Sequence, residues 1–244
     1  MRILNKRIIW AGIVFIHILH FGNAAIEVVN PTGVTGHDGG NWPSTLGHLT
    51  DMLNTTDVGF LTGDHNTGMT VVDANDPSTW TYSGGSWGQE YKGNSRLSGA
   101  LNSKIGWIVI DLGSEVTSLS NMFFWNCRSQ STTENMQDFN LYYSSGVGID
   151  ALPAMPNSKG TTGDYDFSSG DWTKLNAGGN LVLPVNGSNN NTPQLTIDLE
   201  DISAQYLGIE VLTTGDNTKT RIGIAQIEIA RTRKPPSGTL FKIE

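Results

Sequence analysis

Trp80, Trp87 and Tyr91 stand in a stretch rich in glycine and serine. Flat rings in such a setting can stack on the C–H face of a sugar while nearby amides bond its hydroxyls. The commoner use of large aromatics is to plug a sandwich end or cover a loop, so both readings stand side by side. Asn126, Cys127 and Arg128 directly follow the apolar run Met122–Trp125. At a strand end Arg128 would present paired donors to sugar hydroxyls or to a carboxylate, although a lone arginine is more often a surface ion-pair partner. Asn126 would add a carboxamide beside it. Cys127 is the one cysteine, and no histidine at local spacing marks a base for it. Beyond residue 24 the histidines are His37, His48 and His65, without the close helical spacing of zinc enzymes. Acidic residues are scattered, and no pair can be assigned a glycosidase separation from sequence. The chemistry on offer is recognition rather than turnover.

The elements that must hold these residues are strands. Glycine occurs 29 times among many Asn, Thr and Ser, and no long stretch carries helical periodicity. In Gln194–Leu199 apolar and polar residues alternate without a break, so Leu195, Ile197 and Leu199 are expected to face a core. The same period of two marks Phe139–Tyr143, Leu207–Val211 and Ala225–Ile229. Trp107–Leu112 and Met122–Trp125 are more continuously apolar and read as central strands of a two-sheet sandwich. Two long loops are expected, over 59–106 and 146–180, and no internal repeat is visible.

Arg2, Lys6 and Arg7, the apolar run Ile8–Phe21 and Gly22–Ala25 follow the order of a secretory signal peptide, with cleavage expected after Ala24. An uncleaved membrane anchor is the alternative, but the run is shorter than the ~20 residues that span a bilayer and is interrupted by His17 and His20. Residues 1–24 are therefore read as a leader, 25–230 as one β domain, and 231–244 as a basic, proline-containing tail. Losing the leader removes three basic and no acidic residues from a chain of formal net charge −8. An acidic exported protein argues against nucleic acid and anionic membranes as partners. A single cysteine leaves no internal disulfide, so packing must carry stability.

Taken in order, six segments resemble the discoidin family, also called coagulation factor 5/8 type C domains. They are His48–Asp51, Trp107–Gly113, Phe124–Asn126, Asp138–Ser144, Ala204–Glu210 and Gly223–Ile227. The resemblance implies an all-β fold, a jelly-roll β-sandwich of the galactose-binding-like kind. It also implies non-catalytic binding through loops at one end and, often, a structural calcium ion near the early turn. On that basis Asp51, Thr56 and Gln226 are the candidate calcium ligands, hard oxygen donors suited to a hard cation. The chain departs from the family where Gln226 replaces a customary glutamate, where Met52 replaces a glycine, and where Glu134–Gln137 lacks a basic residue. A neutral carbonyl in place of a carboxylate weakens calcium.

The reading that follows is a secreted, non-catalytic protein that binds an extracellular glycan or glycoconjugate. Its ligand contacts are drawn from Trp80, Trp87, Tyr91, Asn126 and Arg128, and nothing inserts in the membrane after the leader is removed. A cell-surface adhesion module that recognises protein, and a small hydrolase or lyase acting on acidic polysaccharide, are the alternatives.

Overall fold

The computed structural model describes residues 25–37, 69–70, 73, 76–82, 91–92, 104–126, 135–153, 163–184, 192–215 and 222–233. Among these, twelve strands form: β1 (Ala25–Val29), β2 (Gly33–Gly36), β3 (Met69–Thr70), β4 (Thr81–Tyr82), β5 (Tyr91–Lys92), β6 (Gly106–Trp125), β7 (Asp138–Ser144), β8 (Thr173–Lys174), β9 (Leu181–Val182), β10 (Leu195–Val211), β11 (Gly223–Ile224) and β12 (Gln226–Arg233). The main sheet runs β1-β12-β6-β10-β7-β8, with β2 added beside β6 and β9 beside β7. All of its ladders are antiparallel.

β6 and β10 are 20 and 17 residues long. At ~3.3 Å per residue, a straight β6 would separate Gly106 from Phe124 by roughly 60 Å. Yet Phe139, which neighbours Val211 and through it Gly106, lies with its ring 5.4 Å from that of Phe124. The β6/β10 pair is therefore folded back on itself, and its two halves face each other as the layers of a sandwich. Ile108, Ile110, Leu141, Leu207 and Ile209 from one layer share a single core with Met122, Phe124, Ile197, Leu199, Ile227 and Ile229 from the other. This is the all-β sandwich that the alternating segments imply.

The fold line is written in the backbone. The β10/β6 register slips three times between Asp198 and Tyr206, and Ser118, Glu200 and Asp201 all adopt positive φ near 55–59°. Asp198 accepts from the Glu200 amide at 2.8 Å and Asp111 from the Gly113 amide at 2.7 Å, local bonds that tighten the turn. Gly113 has φ +79°, and a Cβ there would come within 2.6 Å of the Thr32 side chain. Only glycine satisfies both demands.

Here sequence and structure differ. Trp107–Leu112 and Met122–Trp125 read as two strands, as do Gln194–Leu199 and Leu207–Val211, but each pair belongs to one bent strand. The exposed residues Gly113–Glu115 look like a loop by composition, yet they lie within β6, at a register shift in its pairing with β10. Likewise β12 continues past Ala230: Arg231, Thr232 and Arg233 pair with Glu27, Ile26 and Ala25 rather than beginning a tail. The stretches 59–106 and 146–180 also hold short paired strands, β3, β4, β5 and β8.

Candidate functional site

Folding β6 and β10 in half brings both ends of each strand to the same end of the sandwich. The chain therefore enters and leaves these strands there, around Gly106, Trp125, Leu195 and Val211. The fold line occupies the opposite end.

Carboxamides build the floor of the end where the strands begin and finish. Asn126, fully buried, donates its backbone N–H to the Gln194 side-chain oxygen at 2.7 Å and its own Nδ2 to the Pro184 carbonyl. Its Oδ1 is buried with no hydrogen-bond partner among the described residues. The Gln194 amide donates to the Phe124 carbonyl at 2.8 Å. Asn135, also buried, bridges to Gly223, while Gly215 donates to the Asn135 carbonyl at 3.0 Å. The two Asn126 bonds use carboxamide groups, which offer donor and acceptor at once, whereas those joining Gln194 to Phe124, Asn135 to Gly223 and Gly215 to Asn135 are main-chain bonds. Gln194 and Asn135 carry no mark in the sequence beyond being amides that flank strand ends.

Gln226 follows on β12, opposite Trp125, and its Nε2 donates to the Glu228 carboxylate at 2.6 Å. Both side chains are buried. Burial pushes the Glu228 carboxyl up to about 8, against the pull of the Gln226 bond, so at neutral pH it is mostly protonated. Of the candidate calcium ligands only Gln226 lies among the described residues, where it offers one carboxamide oxygen. Among the described residues no group of three His, Cys, Asp or Glu could hold a metal. Asp51 and Thr56, the other candidate ligands, lie outside the described residues.

Trp80 is fully buried and does not present an open face to a sugar. Its indole Nε1 donates to the Asp73 carbonyl at 2.5 Å, after a short 3-10 turn over Pro77–Thr79 capped by Asp76. The ring packs with Phe123, Trp125, Ala225 and Ala230 on the outer side of one layer, where the two alanines leave room for it. Tyr91 lies in β5 opposite Ile224. Trp87 and Arg128 lie outside the described residues. Of the candidate contacts, the structure brings Asn126 and Gln226 near each other through the Trp125–Gln226 pairing and places Trp80 in a core.

A buried charge cluster on the outer side of the other layer is not legible in the sequence. There Lys104 sits 2.8 Å from Asp164 and 3.8 Å from Glu210, and donates to the Tyr165 carbonyl. Glu210 also accepts from Asn140 at 2.8 Å and from Tyr142 at 3.0 Å. Burial first, and then the Glu210 charge, hold the Tyr142 phenol above its ordinary range. Tyr165, Phe167 and Trp172 lie over this face, with Phe167 stacked on Tyr142 at 4.8 Å and Trp172 edge-on to Phe167 at 5.1 Å. Gly208 permits that approach, since a Cβ there would fall 2.3 Å from the Phe167 ring. Lys104 ties the segment that carries Asp164 and Tyr165 to the start of β6, while Asn140 and Tyr142 hold Glu210 from within the sheet, which is a structural role.

No known protein family matches the chain, and no curated protein matches it. Solved structures similar to it include the family 32 carbohydrate-binding module of Clostridium perfringens NanJ in complex with galactose. That match has 8% identity and a TM-score of 0.43, over 84% of this chain and 99% of that one. A second Clostridium perfringens family 32 module, in complex with GalNAc-β-1,3-galactose, shows 10% identity and a TM-score of 0.43, over 83% and 99%. A fucolectin from striped bass (Morone saxatilis) serum shows 11% identity and a TM-score of 0.42, over 84% and 48%.

Proposed function

We propose that this chain is a secreted, non-catalytic carbohydrate-binding protein that holds an extracellular glycan at the end of the sandwich where β6 and β10 begin and finish. The observation that carries the reading is the folded β6/β10 pair, which brings both ends of each strand to one end of the sandwich, beside the buried carboxamides of Asn126 and Gln226. Rigid scaffolds that present connections in this way are where binding residues concentrate. Asn126 stands at the start of the segment that carries Arg128, so a guanidinium anchored there would reach hydroxyls, while Trp87 and Tyr91 would supply ring faces. Asp51, Thr56 and Gln226 are kept as the calcium ligands of this reading, with the ion holding the early turn.

A glycan array probed with the recombinant protein, with and without calcium, tests it. Galactose and GalNAc-β-1,3-galactose are the first probes, followed by neutral polysaccharides. Single sugars are expected to bind weakly and clustered ones strongly, by multivalency. Arg128→Ala is expected to weaken binding about tenfold, the loss of one charge-assisted contact. Retention of no glycan under either condition, or capture of a protein partner that free sugars do not displace, overturns the reading.

A further inference from the structure

At the end opposite the carboxamide floor, beside the fold line, lies a cavity of about 200 Å³ lined by Thr117, Ser118, Arg231, Thr232 and Arg233. The register explains this convergence. Arg231 pairs with Leu119 on β6 and with Glu27 on β1, so the end of β12 is laid alongside the bend that contains Thr117 and Ser118. Ser118 turns the chain there with φ 59°, a conformation that L side chains seldom adopt. Three hydroxyls and two guanidiniums thus line one hollow.

The two arginines are in different states. Arg231 is held, its Nε and Nη2 both donating to one Glu27 oxygen, at 3.1 and 3.0 Å. Arg233 is exposed and forms no ion pair among the described residues. That is notable in a chain where Asp and Glu number 23 against 15 Lys and Arg, since carboxylates outnumber their partners. A fixed guanidinium with a second, uncommitted one beside hydroxyl donors is the chemistry that recognises an oxyanion: paired N–H donors match sulfate and carboxylate oxygens, and hydroxyls complete the shell.

We propose that this cavity is a second binding site, which takes the oxyanion of an acidic sugar, either a sulfate ester or a uronate carboxylate. It is independent of the glycan site proposed at the opposite end. An acidic protein that carries a basic hollow can then hold a polyanionic polysaccharide locally, against the repulsion of its net charge.

Inorganic sulfate, titrated into the isotope-labelled full chain at low ionic strength and followed by amide shifts, is the first test. Movement of Ser118, Thr232 and Arg233, weakened about tenfold in Arg233→Gln and largely restored in Arg233→Lys at higher sulfate, is expected. Affinity electrophoresis through a sulfated galactan, an alginate and a neutral galactan then separates the two oxyanion sources. Retardation by one acidic polymer that is lost in Arg233→Gln supports the proposal. Neutral-glycan binding is expected to be unchanged in the same variant, which separates failure of this site from failure of the other. Sulfate affinity unaltered by Arg233→Gln, unmoved Ser118 and Arg233 amides, or sulfate binding without retention by either acidic polymer overturns it.

Discussion

Replacing Lys104 by methionine is expected to lower the unfolding free energy by about 3–5 kcal/mol, the cost of stranding a buried ionised partner. The Lys104 side chain is fully buried, as is that of Glu210, while Asp164 is partly open to water. With the ammonium gone, Glu210 retains only the neutral donors of Asn140 and Tyr142. Asp164 can recover solvation by moving outward; Glu210 is in a central strand and cannot. Methionine fills much of the same volume, so the loss reports on charge rather than on a void. The double variant Lys104→Met, Glu210→Gln is expected to regain part of the loss, because a carboxamide tolerates burial better than an unpaired carboxylate. Urea unfolding of the three proteins measures both effects. A Lys104→Met penalty below about 1 kcal/mol, the range of an exposed ion pair, would show that Glu210 is not held by this cluster.

Glu228 is expected to make the protein lose stability as pH rises. Its carboxyl titrates at about 8 when folded, against an ordinary 4.5, so the folded state binds the proton more tightly than the unfolded chain. The unfolded chain releases that proton first. Stability is therefore full below about pH 4.5 and falls between there and pH 8, at about 1.4 kcal/mol per pH unit, then levels off. Glu228→Gln carries no titrating group and can still accept from Gln226. It is expected to match the parent near pH 4.5 and to exceed it by about 3 kcal/mol at pH 7, an order-of-magnitude figure. Urea midpoints of both proteins from pH 4 to pH 9 decide the matter. Two curves that stay parallel through that range would mean that Glu228 is not buried in the folded protein.

The layers of the fold were legible because alternation reports one-sided burial. Ile197 and Leu199 are buried and Thr196 and Asp198 exposed, as the pattern of Gln194–Leu199 demands. The same rule misleads at Leu207–Val211, where Glu210 reads as a wet position but is buried, bonded to Asn140 and Tyr142 and facing Lys104. Periodicity describes a strand and its layer; it does not know what a distant segment lays across the other side. Lys104 gave no signal for the same reason, since its partners Asp164 and Glu210 lie 60 and 106 positions away. The bent strands were hidden by composition: polar residues at 113–118 and 198–204 mark both a loop and a fold line.

Site residues were legible to a lesser degree. Asn126 was marked by its place after an apolar strand, and the structure gives it a buried seat at a strand end. Trp80 stands among the same turn formers as Trp87, and local sequence could not foresee that Ala225 and Ala230, far along the chain, open a space for one ring. Aromatic residues in glycine-rich segments are chosen between core and surface by such distant partners. Arg231–Arg233 look like a tail because basic residues and prolines adjoin there, whereas pairing with β1 extends the strand through them.

The most direct measurement of the central claim is a map of amide shifts as the best array ligand is titrated into the labelled protein. Shifts are expected to cluster at residues 126, 135, 194, 214–215 and 223–226, with 113–115 and 200–204 unmoved and the glycan recovered intact. Shifts centred on the fold line, or shortened glycan in the recovered ligand, would contradict it.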